Sequence, residues 1–290
     1  MTMDALPDDV LLEIFDFHMK GADIYRNASA WHLLIHVCRR WRSIVLSSSR
    51  RLNLRLLCTE STPVTEMLDI WPAFLPIVVC SGGEPFEEGA ENVVSALKHP
   101  DRVCEIVFEE ISSSSLEFFS TAMHGPFPML TRLDLTLGDR REFFPDPFLE
   151  RSAPRLRSLE LDGIPFSAVH TLLLSASGIV RLCLWDLPEY VLPEEIVPCL
   201  SSMAGLESIY LGFRYAEYLR HQECQHSYSL PRTILPALTY LGLKAPRGYS
   251  KDLMVRLDTP RLDNVTTHSL DTQFGAEEID YLIQLEQERE

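Results

Sequence analysis

The sequence predicts an α/β protein in which a short N-terminal helical module precedes a divergent repeat solenoid. Three observations carry this reading. A pattern apolar-x-x-apolar-x-apolar recurs from residue 103 to residue 267 at intervals of 23 to 32 residues. The first fifty residues instead space their apolar side chains by three and four, the period of a helix. The composition, 46% hydrophobic and 23% charged over 290 residues, suits a folded chain that buries a core without disulfide or metal staples.

The charge narrows the function classes. Twenty-six Lys and Arg against 42 Asp and Glu leave a net charge of −16. A generally basic surface for nucleic acid or for an anionic membrane is thereby excluded. The balance is uneven. Residues 1–58 hold eight basic and six acidic side chains, a net of +2, so the remainder carries −18. No apolar run approaches the ~18 residues that span a bilayer. Asp4, Asp8 and Asp9 stand before the first apolar run, where a secretory leader would be basic. Seven scattered cysteines suit buried free thiols in a reducing compartment, which points to the cytoplasm and/or nucleus.

Along the chain, Leu6-Pro7-Asp8-Asp9 reads as a helix start. Proline fixes φ for the first turn, and the aspartates favour the positive end of the helix dipole. Leu11, Ile14, Phe15 and His18 then form one stripe. Gly21 to Asn27 is polar and breaks the pattern. A second helix is expected from about Ala30 to Leu46, with Leu33, Val37, Trp41, Ile44 and Val45 on one face and Arg39, Arg40 and Arg42 mostly on the other. Two such helices cannot bury both stripes on each other. Some apolar face is left for a partner, or for the rest of the chain if the helices merely cap it.

The run Leu6-Pro7-Asp8-Asp9-Val10-Leu11-Leu12-Glu13-Ile14-Phe15, followed by Val37-Cys38-Arg39-Arg40-Trp41-Arg42, closely resembles an F-box over about residues 5–50. The continuation Arg51 to Thr59, then Ile70-Trp71-Pro72, resembles the F-box proteins numerous in mushroom-forming fungi. The break from Gly21 to Ala30 is longer than in the tightest F-box matches. The resemblance implies docking on the Skp-type adaptor of an SCF (cullin–RING) ubiquitin ligase. Leu6, Pro7, Leu11, Ile14 and Phe15 match adaptor-contacting positions. Val37 and Trp41 match the packed core and its rim.

Residues 51–100 read as a linker with the first irregular repeat or repeats, and 101–290 as the array. Its copies begin at Val103, Leu130, Leu156, Ile179, Leu206 and Leu238, with a weak one at Leu262. Most intervals fall in the ~20–29 range of leucine-rich repeats, although the Asn/Cys ladder positions of regular repeats are missing. Each copy offers a short strand with one apolar face, and only a stack of copies buries that face. Pro128, Pro154, Pro236 and Pro260 precede strands, where a missing ladder donor is tolerated. Phe213 to Thr233 reads as an insertion. Glu277 to Gln287 reads as a C-terminal cap helix.

Catalytic patterns are lacking. There is no G-x-S-x-G elbow. Gly82 to Gly89 lacks the lysine and hydroxyl of a phosphate loop and is crowded with glutamates. His221, Cys224 and His226 fall short of a four-ligand zinc pattern. The sequence therefore predicts a non-enzyme without metal or cofactor. If the leucines point inward, the alternating strand residues form the exposed face. Asp134, Glu160, Asp162, Trp185, Tyr210 and Tyr240 then make an aromatic and acidic surface suited to a partly basic protein substrate, with the three aromatics on successive strands. The expected function is substrate recognition for an SCF-type ligase. The alternative is an interaction scaffold whose first helices only cap the repeats.

Overall fold

The computed structural model describes residues 6–20, 24–82, 89–123, 125–138, 153–214 and 232–270. The chain forms two compact units, Met1–Asp139 and Arg140–Glu290. Their boundary falls inside the segment 101–290 expected as one array. The fold is mixed α/β with parallel strands.

The first unit opens with α1 (Asp8–Lys20), α2 (Ile24–Ile35) and α3 (Arg39–Ser47). Where one helix was expected over about 30–46, the chain builds two, and the first starts earlier, at Ile24. The break is local. Cys38 is extended (φ −159°, ψ 170°), and its Sγ accepts the Trp41 N–H at 3.5 Å as an N-cap for α3. The Arg42 Nε donates to the Ile35 carbonyl at 3.0 Å, satisfying an acceptor that the end of α2 leaves open. On α1 the buried stripe is Leu11, Phe15 and Met19, four residues apart, while Ile14 and His18 of the expected stripe are exposed. Phe15 packs on Trp41 with ring centroids 4.7 Å apart.

The unit continues through β1 (Leu56–Cys58), α4 (Val64–Ile70), β2 (Ile77–Gly82), α5 (Ala90–Leu97), β3 (Val103–Ile111), α6 (Ser113–Met123) and β4 (Arg132–Leu137). The strands β1 to β4 pair in sequence order, all parallel. Segment 51–100 thus supplies two strands and two helices to this sheet. The second unit holds β5 (Ser158–Asp162), α7 (Phe166–Ser175), β6 (Arg181–Leu187), α8 (Pro193–Ser201), β7 (Ser208–Phe213), β8 (Thr233–Ile234), β9 (Tyr240–Ala245), α9 (Arg247–Arg256), β10 (Leu257–Asp258) and β11 (Asn264–Ser269). Its sheet runs β5-β6-β7-β9-β11, again parallel, and β8 pairs with β10. A right-handed return through a helix is how parallel neighbours are normally joined.

The recurring sequence pattern has a recurring local structure. The first apolar residue of six copies closes a turn by donating its N–H to the carbonyl three residues earlier: Leu130 to Phe127, Leu156 to Ala153, Ile179 to Ala176, Leu206 to Met203, Leu238 to Leu235 and Leu262 to Thr259. The expected prolines Pro128, Pro154, Pro236 and Pro260 occupy the second position of that turn, where a φ near −65° is already required. The next residue then donates to the equivalent place in the neighbouring copy: Thr131 to Cys104, Val180 to Arg157, Glu207 to Val180, Thr239 to Glu207 and Asp263 to Thr239. The strand leucines that follow, such as Leu133, Leu159, Leu182, Leu211 and Leu243, are fully buried. Copies end weakly at β11, where Val265 is exposed. The insertion residues 215–231, with His221, Cys224 and His226, and the cap helix expected at 277–287 lie outside the described residues.

Gly242 on β9 accommodates a ring. A Cβ there would collide with the Tyr210 ring, and one at Gly212 would approach the same ring at 3.0 Å. Tyr210 lies over this bare backbone and is 8% exposed. Gly242→Ala is expected to lower stability by about 1–3 kcal/mol through overpacking, read as an earlier midpoint in urea.

Candidate functional site

The candidate site is the exposed edge of the N-terminal module, and it depends on how the module is held. Trp31 on α2 is fully buried. Its indole Nε1 donates to the Arg55 carbonyl at 2.8 Å, and its ring meets Trp71 edge-on at 5.1 Å. The Arg55 guanidinium in turn pairs with Glu105 on β3. Glu105 is nearly buried, so the pair is held at low dielectric. At the other end, Arg40 on α3 donates to the Leu6 carbonyl at 2.5 Å and pairs with Asp8 at 2.6 Å, which fixes the start of α1. His32 packs on Trp71 at 4.9 Å. Burial, and then His36, push its pKa below the ordinary value, so the ring is neutral at pH 7.

With these anchors in place, five apolar side chains among the described residues of the module remain in solvent. They are Val10, Ile14 and Phe17 on α1, Leu33 on α2, and Val37 in the turn before α3; Phe17 is 83% and Leu33 68% exposed. Burying one such side chain contributes about 1.5–3 kcal/mol. Of the residues expected to contact an adaptor, Pro7, Ile14 and Val37 are exposed, and Leu6 and Trp41 are half-buried. Leu11 and Phe15 are wholly buried in the module's own core. Val10 and Phe17, outside that set, are also exposed, and with Ile14 they make a helical stripe (10, 14, 17). Two stripes compete on α1, and sequence period does not say which one the module covers.

The strand face expected to bind substrate divides between the two units. Asp134 lies in the first unit, bonded to Arg132 at 2.6 Å. In the second unit Glu160 faces Arg181 at 3.7 Å, and Asp186 binds Lys244 at 2.7 Å. Burial and the nearby Asp186 raise the Asp162 pKa above the usual carboxylate range, with Arg214 and Lys244 opposing. Trp185 stacks on Tyr210 with centroids 3.6 Å apart and planes at 29°. The three aromatics do occupy successive strands, but not one level. Trp185 is in register with Asp162, Tyr210 with Cys183 and Gly242, and Tyr240 with Ser208. They therefore step diagonally across the sheet. Trp185 and Tyr240 are half-exposed, whereas Tyr210 fills the glycine gap beneath them.

The six described cysteines are free thiols, and only Cys38 is exposed. Burial pushes the Cys58 and Cys80 thiols up to about 12 and those of Cys104 and Cys199 to about 11. Among the described residues, no group of three His, Cys, Asp or Glu is placed to hold a metal. No described helix is long and apolar enough to cross a membrane.

Two outcomes follow from these placements. Arg55→Ala is expected to cost about 2–3 kcal/mol in urea unfolding, because it strands the Glu105 carboxylate; the value is at the low end since Arg55 keeps part of its side chain in solvent. In native protein at pH 8, Cys38 is expected to alkylate with iodoacetamide while Cys58 and Cys80 do not. A thiol with a pKa of about 12 is ionised in only about one molecule in ten thousand at that pH. Peptide mass spectrometry distinguishes the sites.

Comparison with known proteins adds one finding to this geometry. No curated protein matches the chain. Residues 3–55 match the F-box-like family, which spans α1, α2 and α3 and ends at Arg55, the residue that ties Trp31 to Glu105: the chain carries an F-box-like domain at its N-terminus.

Proposed function

We propose that this chain is a substrate-recognition subunit of an SCF-type ubiquitin ligase, working inside the cell. The observation that carries the reading is the F-box-like match over 3–55 combined with the uncovered apolar edge of that module. F-box-like domains suggest an adaptor role in such ligases. In this reading Leu6, Pro7, Val10, Ile14, Phe17, Leu33 and Val37 meet a Skp-type adaptor, with Trp41 at the rim. Leu11 and Phe15 serve the same contact from below, by holding α1 against α3.

The parallel strands are then divergent leucine-rich repeats that capture a protein substrate. The shared turn before each strand and the copy-to-copy bonds support that assignment. Capture falls, in the second unit, to Glu160, Asp162, Trp185 and Tyr240, with Tyr210 as the base on which Trp185 stacks. The chain itself performs no chemistry. It raises the effective concentration of substrate beside a charged ubiquitin.

Co-expression with a Skp-type adaptor, followed by size-exclusion chromatography, tests the reading. The parent chain is expected to co-elute. Ile14→Asp and Phe17→Asp, both at exposed positions, are expected to abolish co-elution while leaving the melting temperature in place. Leu11→Ala and Phe15→Ala are expected instead to cost about 2–5 kcal/mol of stability. A parent chain that fails to co-elute favours the scaffold whose helices only cap the repeats.

A further inference from the structure

In the second unit, α7, α8 and the segment between β6 and α8 enclose a cleft of about 570 Å³. That volume lies in the range of roughly 300–1,000 Å³ typical of small-ligand sites. None of the strand-face residues proposed to capture substrate lines it. Its walls are of two kinds. Phe166, Leu174 and Tyr190 supply apolar and aromatic surface, and the polar wall holds the carboxylates of Glu189, Glu194 and Glu195 with the Ser167 hydroxyl and the His170 imidazole; no lysine or arginine lines it among the described residues.

Each carboxylate is oriented by a bond behind it. Glu189 accepts the Ser167 N–H at 2.6 Å, at the start of α7. Glu195 accepts the Leu192 N–H at 2.8 Å, at the start of α8. Glu194 accepts from Arg256 at 2.5 Å, but Arg256 is 7% exposed and also serves Asp252 at 3.1 Å. One guanidinium thus faces two carboxylates, and the other two have no cation at all among these bonds. A carboxylate has about four acceptor positions, so each keeps capacity toward the cleft.

A second observation lies behind Tyr190, one of the lining residues. Tyr249 on α9 is buried, with its ring edge-on to Tyr190 at 5.7 Å. Its hydroxyl has no hydrogen-bond partner among the described residues. Burial, then Tyr190, Asp252, Glu194 and Glu195, raise its pKa, so the hydroxyl stays protonated.

We propose that this cleft binds an organic cation with an apolar body, a guanidinium, amidinium or ammonium group carried on an aliphatic or aromatic stem. The stem lies against Phe166 and Leu174. The cationic head meets Glu189 and Glu194, with the Tyr190 ring in position for a cation–π contact. An anion is repelled, and a neutral body of the same shape desolvates carboxylates without pairing them. Two sources present this chemistry: a free small cation, or the arginine or lysine side chain of a protein.

The test is calorimetry and saturation-transfer NMR on the 290-residue chain with three probes of one shape, benzamidinium, benzamide and benzoate, and with the peptide acetyl-Gly-Arg-Gly-amide. Benzamidinium is expected to bind roughly tenfold more tightly than benzamide, with no benzoate binding, and to weaken as salt rises from about 0.05 to about 0.5 M. Leu174→Lys places a cation at an exposed position on the rim and is expected to abolish binding in a protein that melts like the parent. Glu189→Gln keeps an acceptor for the Ser167 N–H and is expected to weaken binding roughly fivefold. Peptide binding with the same sensitivity to Leu174→Lys identifies a protein side chain as the ligand. Benzamidinium binding without peptide binding identifies a free cation. Absence of benzamidinium binding, equal affinity for benzamide, or indifference to Leu174→Lys overturns the proposal. None of these results depends on the adaptor, so the cleft and the ligase reading fail separately.

Discussion

The anchoring of Trp31 is the constraint on which the N-terminal site depends. A buried indole with one donor has few acceptable positions. Here its N–H is committed to the Arg55 carbonyl, and its ring is wedged beside Trp71. Arg55 carries the same link into the sheet through Glu105. Trp31 and the Arg55–Glu105 pair thus tie the three-helix module to the sheet of its own unit. Phe17 and Leu33 stay exposed on a module tethered in this way, and exposed apolar side chains grouped on one surface mark interaction sites.

The strand-bearing segments follow a different economy. The five copies from Leu130 to Leu238 each place one buried leucine or isoleucine at the close of a turn, then alternate buried leucines or isoleucine along a strand. The turn sets the register, because the residue after it bonds to the neighbouring copy. This explains how the array tolerates intervals as unequal as 23 and 32 residues: length varies in the return segment, while the turn and strand stay constant. The face alternating with the leucines is less uniform. Glycines at 212 and 242 let Tyr210 lie down on the backbone, and that in turn gives Trp185 a stacking partner.

Much of the fold was legible in the residues, and the reasons are local. Proline at the second turn position, a leucine to close the turn and period-two leucines each leave a mark within ten residues. β1 and β2 were less legible: β1 is only three residues long, and in β2 Ile77, Val78, Val79, Cys80 and Ser81 are all buried and show no alternation. The split between α2 and α3 was hidden as well. The apolar period runs straight through 30–46, and only the extended backbone at Cys38 and the reach of Arg42 to Ile35 reveal the break.

The site was legible by motif but not by exposure. Sequence alone determined that an amphipathic N-terminal module precedes a stack of strands, since those features rest on spacing and turn chemistry that each segment carries by itself. Only the tertiary structure decided that Leu11 and Phe15 face inward while Ile14 and Phe17 face water, that Tyr210 is buried against Trp185, and that three glutamates from neighbouring helices and loops meet around one cleft. The physical reason is that burial and electrostatic compensation belong to pairs of distant residues. Period shows that a side chain needs a neighbour, and the folded chain shows which neighbour it has.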